Sequence, residues 1–335
     1  MSTSGVRRWL YVTSGFVGAS VLLHGADRLK CGIRGGEQRF VPDLVPPMTS
    51  GRWQDEFAKY SRYPDYDQNP IHMRKFQLLY LAEWGHRYLS TLSAIVFFVP
   101  YTYFLSRRRL PSQYSPLLHL TLYGFGLQTL LGWDLVQSRF NFKFFDDQTT
   151  AAVSSYKHAV HLSLSVALYS SMMYCAFRLS PANIAAPKRL ISKTLGALAI
   201  LCLSTSIVSG AAVTALGAGK IYNDFPWMGD WVLPRMSELT YMTPTWRNIF
   251  ENPSAAQAVH KLSSCGALAS IVLLGIGLRK THLTRFRLRL YALSCGQVGL
   301  GVAALMTKVD PNLGMAHQGT ALALLTTLLY VMAAA

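Results

Sequence analysis

Long apolar stretches, each near the length of a membrane-crossing helix, alternate with polar connections along this chain. A helix needs roughly 20 mainly apolar residues to cross the hydrocarbon of a bilayer. Eight stretches meet or approach that length: 9–25, 78–105, 115–136, 158–177, 194–217, 257–278, 288–307 and 315–334. The pattern predicts an all-α integral membrane protein of eight transmembrane helices. Composition agrees, with 51% hydrophobic and only 14% charged residues.

The charges predict an orientation. The connections that follow the second, fourth and sixth stretches, with the N-terminus, carry fourteen basic residues and no acidic one: Arg7, Arg8, Arg107, Arg108, Arg109, Arg178, Lys188, Arg189, Lys193, Arg279, Lys280, Arg285, Arg287 and Arg289. Positive connections stay on the cytoplasm-like side, so both termini are expected there. The net charge of +16 then serves helix ends and anionic lipid headgroups rather than nucleic acid.

The chain also reads as a duplication. Gly18-Ala19-Ser20-Val21 in the first stretch resembles Gly210-Ala211-Ala212-Val213 in the fifth. Glu83-Trp84-Gly85-His86-Arg87 answers to Gln257-Ala258-Val259-His260-Lys261, and Gln128-Thr129-Leu130-Leu131-Gly132 to Gln297-Val298-Gly299-Leu300-Gly301. His161 and His317 complete the series. The expected fold is two tandem, pseudo-symmetric four-helix bundles, 1–180 with a long first connection at 26–76, and 181–335.

His86, His161, His260 and His317 stand just inside the starts of the four even-numbered stretches, at one expected depth. A single intramembrane histidine is most simply an interhelical hydrogen bond, but four at equivalent places point to function. No cysteine or carboxylate cluster completes a zinc set on either pair. Two bis-histidine hemes fit, one on His86 and His161, the other on His260 and His317. His158, one turn before His161, is the alternative ligand. His24 closes the first stretch, His119 lies near an end of the third, and His72 and His282 fall in connections.

The halves differ at one chemical position. Glu83 lies three residues before His86, on the same helical face, whereas Gln257 precedes His260. A carboxylate beside a macrocycle acts as base, proton relay or electrostatic stabiliser; its simpler role is an ion pair with Arg87. The first half is therefore the expected reactive site and the second a cofactor site. Arg28, Arg87, Lys157, Lys220 and Lys261 are candidate partners for heme propionates, or else snorkel at helix ends.

At these residues the chain resembles the heme A synthase family in its mitochondrial form. The likeness rests on Glu83-Trp84-Gly85-His86-Arg87, on Leu131-Gly132-Trp133, and on Val153 to Lys157 followed by His161-Leu162. It continues through Ile221-Tyr222-Asn223, Phe225 to Asp230, and Phe250-Glu251-Asn252. The first connection, from Trp53 to Phe57 through Pro64 and Tyr66 to Met73, is similar to the mitochondrial type. Lys157 and Lys261 stand where the family usually has arginine, and the stretch from Lys30 to Leu44 departs from it. The only cysteine outside the stretches is Cys31, and no disulfide is expected.

The resemblance implies conversion of heme O to heme A, a ring methyl becoming a formyl group by successive hydroxylations, for cytochrome c oxidase biogenesis. His86, His161 and Arg87 would bind the substrate heme, and Glu83 would be catalytic. His260 and His317 would ligate heme B, with Lys261 at the cofactor. Membrane lipids, the heme O synthase and an external electron-transfer protein are the implied partners, and a homo-oligomer is left open. The implied place is the mitochondrial inner membrane, both termini in the matrix. The competing readings are a two-heme b-type electron-transfer cytochrome and an inactive structural or assembly subunit.

Overall fold

The structure, a computed structural model, describes residues 4–29, 45–62, 66, 70–141, 155–181, 190–279 and 281–335. Cys31, Pro64, Val153, Lys188, Arg189, Lys280 and the departing stretch from Lys30 to Leu44 lie outside the described residues, as does the side chain of Arg28. The described chain is mostly helical, with irregular connections and one isolated bridge between Met228 and Trp231.

With single helical turns at Ala218–Lys220, Met236–Leu239, Thr245–Arg247 and Asn248–Glu251 in one connection, eight long helices and one shorter one account for most of it. They are α1 (Ser4–Leu29), α2 (Ser50–Tyr60), α3 (Met73–Ser106) and α4 (Ser115–Asn141). Next come α5 (Ser155–Arg178), α6 (Leu190–Ala215) and α7 (Pro253–Gly277). The last two are α8 (Thr284–Met306) and α9 (Pro311–Ala334). Six of these, α3 and α5 to α9, are long and apolar enough to cross a membrane. Each expected apolar stretch falls on one long helix. Most helices begin three to five residues before their stretch, as α7 does at Pro253 and α9 at Pro311.

Capping explains the early starts of α7 and α9. The Asn252 side chain accepts from the backbone N–H groups of Ser254 and Ala255, and Pro253 supplies a first helical residue with no N–H to satisfy. Asp310 does the same for Asn312 and Leu313, at 3.0 and 3.1 Å, ahead of Pro311. Hydropathy sees only the apolar part of a helix; the polar first turn is set by its cap.

α1 packs on α3 and α5; α6 packs closely on α7, and α8 on α9. α9 also lies against α5, α6 and α1, and α5 against α6. One continuous core results, holding Leu10, Phe97, Leu118, Met172, Leu274, Leu325 and Leu328. Arg178 ties it, donating to the Ala333 carbonyl at 2.8 Å and the Tyr114 hydroxyl at 3.2 Å. Outward faces carry exposed Leu120, Tyr123, Leu130, Leu201 and Leu288, the surface that lipid rather than water would cover. Within the long first connection, α2 docks on α3 through Tyr60, Phe76 and Leu79, with Trp53 and Phe57 packed against them.

Candidate functional site

His260 and His317 face each other, about two turns inside α7 and α9. Their ring centroids are 6.4 Å apart, with the planes at 72°. Two collinear metal–imidazole bonds of about 2 Å, plus about 1.1 Å from nitrogen to ring centre on each side, require a separation of about 6.2 Å. The pair therefore has the spacing of two axial ligands on one iron.

The tautomers suit that task. His260 Nδ1–H donates to the Ser206 carbonyl at 3.0 Å and reaches Ser209 Oγ at 3.1 Å. His317 Nδ1–H donates to the Gln297 carbonyl at 3.0 Å. A carbonyl only accepts, so the proton sits on Nδ1 and Nε2 carries the lone pair; in His317 that lone pair takes the Gln297 amide, which a metal would have to displace. Two glycines let helices come close to these rings. A Cβ on Gly210 would lie 3.2 Å from His260 Cε1, and one on Gly301 only 2.8 Å from His317 Cε1. A cavity of about 440 Å³ opens between the histidines, lined also by Gln257, Lys261, Leu203 and Met228, and by His24 and His158 from the first half.

The first half repeats much of this frame. His86 Nδ1–H donates to the Ser20 carbonyl at 2.9 Å. Ser20 Oγ meets Ser90 Oγ at 2.7 Å, just as Ser206 Oγ meets Ser264 Oγ at 2.7 Å. The Gln128 amide donates to His161 Nε2 at 3.1 Å, and the Gln297 amide to His317 Nε2 at 3.2 Å. Gly132 lies beside His161 as Gly301 lies beside His317. These pairings set Ser20 against Ser206, not Gly18 against Gly210 as the sequence motif suggests. His161 shares with His317 the glutamine amide on Nε2 and the neighbouring glycine, while the buried His158 lines the cavity instead.

One residue breaks the repeat. His24, four residues beyond Ser20, occupies the place that Gly210 holds beyond Ser206. Its ring centroid is 4.6 Å from that of His86, 5.6 Å from His158 and 6.1 Å from His161. Read as the close of a helix, His24 is instead part of a four-histidine cluster. Among the described residues no group of three or more His, Cys, Asp or Glu is arranged to hold a bare metal ion. Gln128 and Gln297 were visible in the repeated motif, but nothing in it assigned them to the histidines.

The acidic position also differs as its residue types require. Glu83 pairs with Arg87 at 2.7 Å, both side chains mostly buried. Gln257 donates through its amide to the Tyr222 carbonyl at 2.8 Å. Of the other candidate cations, Lys157 pairs with Asp134 at 2.7 Å across α4 and α5. Lys261 donates to the Pro226 and Val232 carbonyls, holding the loop after α6 against α7 while lining the cavity. That loop carries its own carboxylate locks outside the helices. The Tyr222 hydroxyl, and then the Ser254 side chain, hold Glu238 below the usual carboxylate range. Arg247, 2.5 Å from Glu251, does the same there with help from Tyr156.

Fold and site together define a helical membrane protein in which a duplicated frame presents pairs of imidazoles between helices. Residues 7–329 match the family model COX15-CtaA, described as cytochrome oxidase assembly protein. The chain belongs to this family. It is 34% identical to the heme A synthase of Rhodospirillum centenum, over 97% of this chain and 86% of that one. It is 32% identical to the heme A synthase of Mesorhizobium japonicum, over 96% of this chain and 87% of that one. It is 31% identical to the human heme A synthase COX15, over 98% of this chain and 82% of that one.

Proposed function

We propose that this chain is a heme A synthase, a heme-dependent membrane oxidoreductase that turns the heme O methyl into a formyl group for cytochrome oxidase biogenesis. The observation that carries the reading is one histidine frame built twice and made chemically unequal, with Glu83 and Arg87 in one copy against Gln257 and Lys261 in the other. α1, α3, α4 and α5 form the substrate bundle and α6 to α9 the cofactor bundle, all eight spanning the membrane, with the boundary near residue 180. Human COX15 among the relatives favours the mitochondrial inner membrane, and the one-sided basic charge favours termini in the matrix.

His260 and His317 hold heme B, which when bound supplies a one-electron redox centre beside the substrate site. Ser206, Ser209 and Gln297 keep both imidazoles in the ligating tautomer, and Gly210 and Gly301 keep the helices close enough for the pair to meet one iron. Lys261 has three donors; two engage loop carbonyls, and the third would be available to a heme propionate. His86 and His161 hold the substrate heme. Glu83, one turn from His86 and steadied by Arg87, would exchange protons with the reacting methyl carbon as its electrons leave to the external carrier. Arg87 itself would be the cation offered to the substrate's propionates. Anionic lipid, a heme O-producing enzyme and an external electron carrier are the partners this chemistry needs.

The test is chromatographic identification of the hemes extracted from protein made in a host that supplies heme O, with Glu83→Gln beside the wild type. Wild type is expected to yield heme B with heme A or its hydroxylated precursor. The variant is expected to keep heme B and lose the oxidised product. Two hemes B per chain in both proteins would overturn the synthase reading and leave an electron-transfer cytochrome.

A further inference from the structure

The contact register pairs His24 with Gly210, and this single difference separates the two sites more sharply than any other side chain near the rings. In the second half a glycine stands at that place, beside His260, whose ring lies 6.4 Å from that of His317. In the first half an imidazole stands at that place, on the same helical face as the Ser20 carbonyl that holds His86.

The spacings divide the first-half rings into sides. His24 and His161 are 6.1 Å apart with planes at 62°, close to the 6.4 Å and 72° of His260 and His317. His24 and His86 are only 4.6 Å apart and tilted by 38°, too close to flank an iron between them. The 4.6 Å contact makes His24 and His86 neighbours that compete for one position, and His24 stands at a bis-imidazole spacing from His161.

We propose that His24 is an exchangeable axial ligand of the first-half site, taking the iron of the substrate heme in place of His86 while His161 stays bound. The inference rests on the reading of that half as the substrate site. The exchange breaks one iron–nitrogen bond and forms another, with no change in electron count and no proton transfer. It suits a site whose occupant must arrive, react and leave: a second imidazole takes the iron as the first lets go. Gly210 denies the second half any such exchange, and its heme stays as a permanent cofactor.

The test uses the full-length protein loaded with heme and read by electron paramagnetic resonance and magnetic circular dichroism of the ferric hemes, with heme-to-protein ratio alongside. Wild type is expected to show two low-spin bis-histidine hemes. His86→Ala is expected to keep both, with one signal shifted by the new ring orientation. The double variant with His24→Ala is expected to lose the low-spin signal of one heme, while the His260–His317 signal persists and reports an intact fold. Loss of that heme's low-spin signal in His86→Ala alone would overturn the proposal, and so would its survival in the double variant. Wild type holding only the second-half heme would overturn the substrate-site reading itself, an outcome distinguishable by stoichiometry.

Discussion

Gly301 lies so close under His317 that a Cβ would stand 2.8 Å from ring atom Cε1, whereas Gly132 leaves 3.5 Å beside His161. The two glycines hold equivalent places, yet only one has no slack. Gly301→Ala must push the imidazole aside, at a cost of about 1–3 kcal/mol for overpacking. Heme retained through purification should fall and the bis-histidine spectrum of the second-half heme should change. Gly132→Ala should leave both nearly as they are. Equal effects from the two substitutions would show that this clearance does not govern ligation.

Gln257 answers to Glu83 in the repeat, but the two cannot be interchanged. The Gln257 amide is a donor to the Tyr222 carbonyl, and Gln257 is buried. Gln257→Glu replaces that donor with a carboxylate and sets two acceptors face to face. The cost of an unsatisfied buried group is about 1–3 kcal/mol, and more for a charged one. Thermal unfolding in detergent should show Gln257→Glu less stable than wild type, and less stable than Gln257→Met, which carries no charge. A second active site should not appear, because no Arg87 equivalent stands four residues on; Lys261 is engaged with the loop.

Much of this was legible in the sequence, and the residues that were not have a common reason. The eight long helices and the four repeated histidines follow from hydropathy and spacing, since both are one-dimensional patterns. The helix starts at Pro253 and Pro311 were missed by a few residues because caps, not apolar content, set them. Helix α2 lay hidden in the first connection because its apolar face, with Trp53, Phe57 and Tyr60, is interrupted by charge at every turn. His24 escaped because matching Gly18 to Gly210 shifts the first helix by six residues. Only the Ser20–His86 and Ser206–His260 contacts give the true register. A motif of small residues matches at many offsets; a hydrogen bond to a ligand's Nδ1 matches at one.

Lys261 joins the cavity to the loop that covers it, donating to the Pro226 and Val232 carbonyls. Lys261→Met keeps the length of the stem and removes the donors. Hydrogen exchange of 226–232 should accelerate, and heme B should dissociate several-fold faster to an apoprotein acceptor. If exchange is unchanged while heme loss rises, the lysine acts on the propionate alone and not through the loop.

The carboxylate locks of the same loop give a pH dependence whose sign is fixed by their direction. Glu238, held by the Tyr222 hydroxyl and Ser254, and Glu251, held by Arg247 and Tyr156, both have folded-state pKa values below the ordinary glutamate value of about 4.3. A carboxylate whose pKa is lowered by folding contributes stability that is fully present above its unfolded pKa. That stability is lost as pH falls through the folded one. The segment from Met236 to Asn252 should therefore stay protected from neutral pH down to about 4.3 and loosen only below it. Pulse hydrogen exchange across this segment, from pH 7 to pH 3, is the measurement. In Glu251→Gln the Arg247 contact no longer titrates, so protection should be lower at neutral pH and flatter toward acid. Loosening centred near pH 6.5 would instead point to histidine protonation and would remove these two carboxylates from the account.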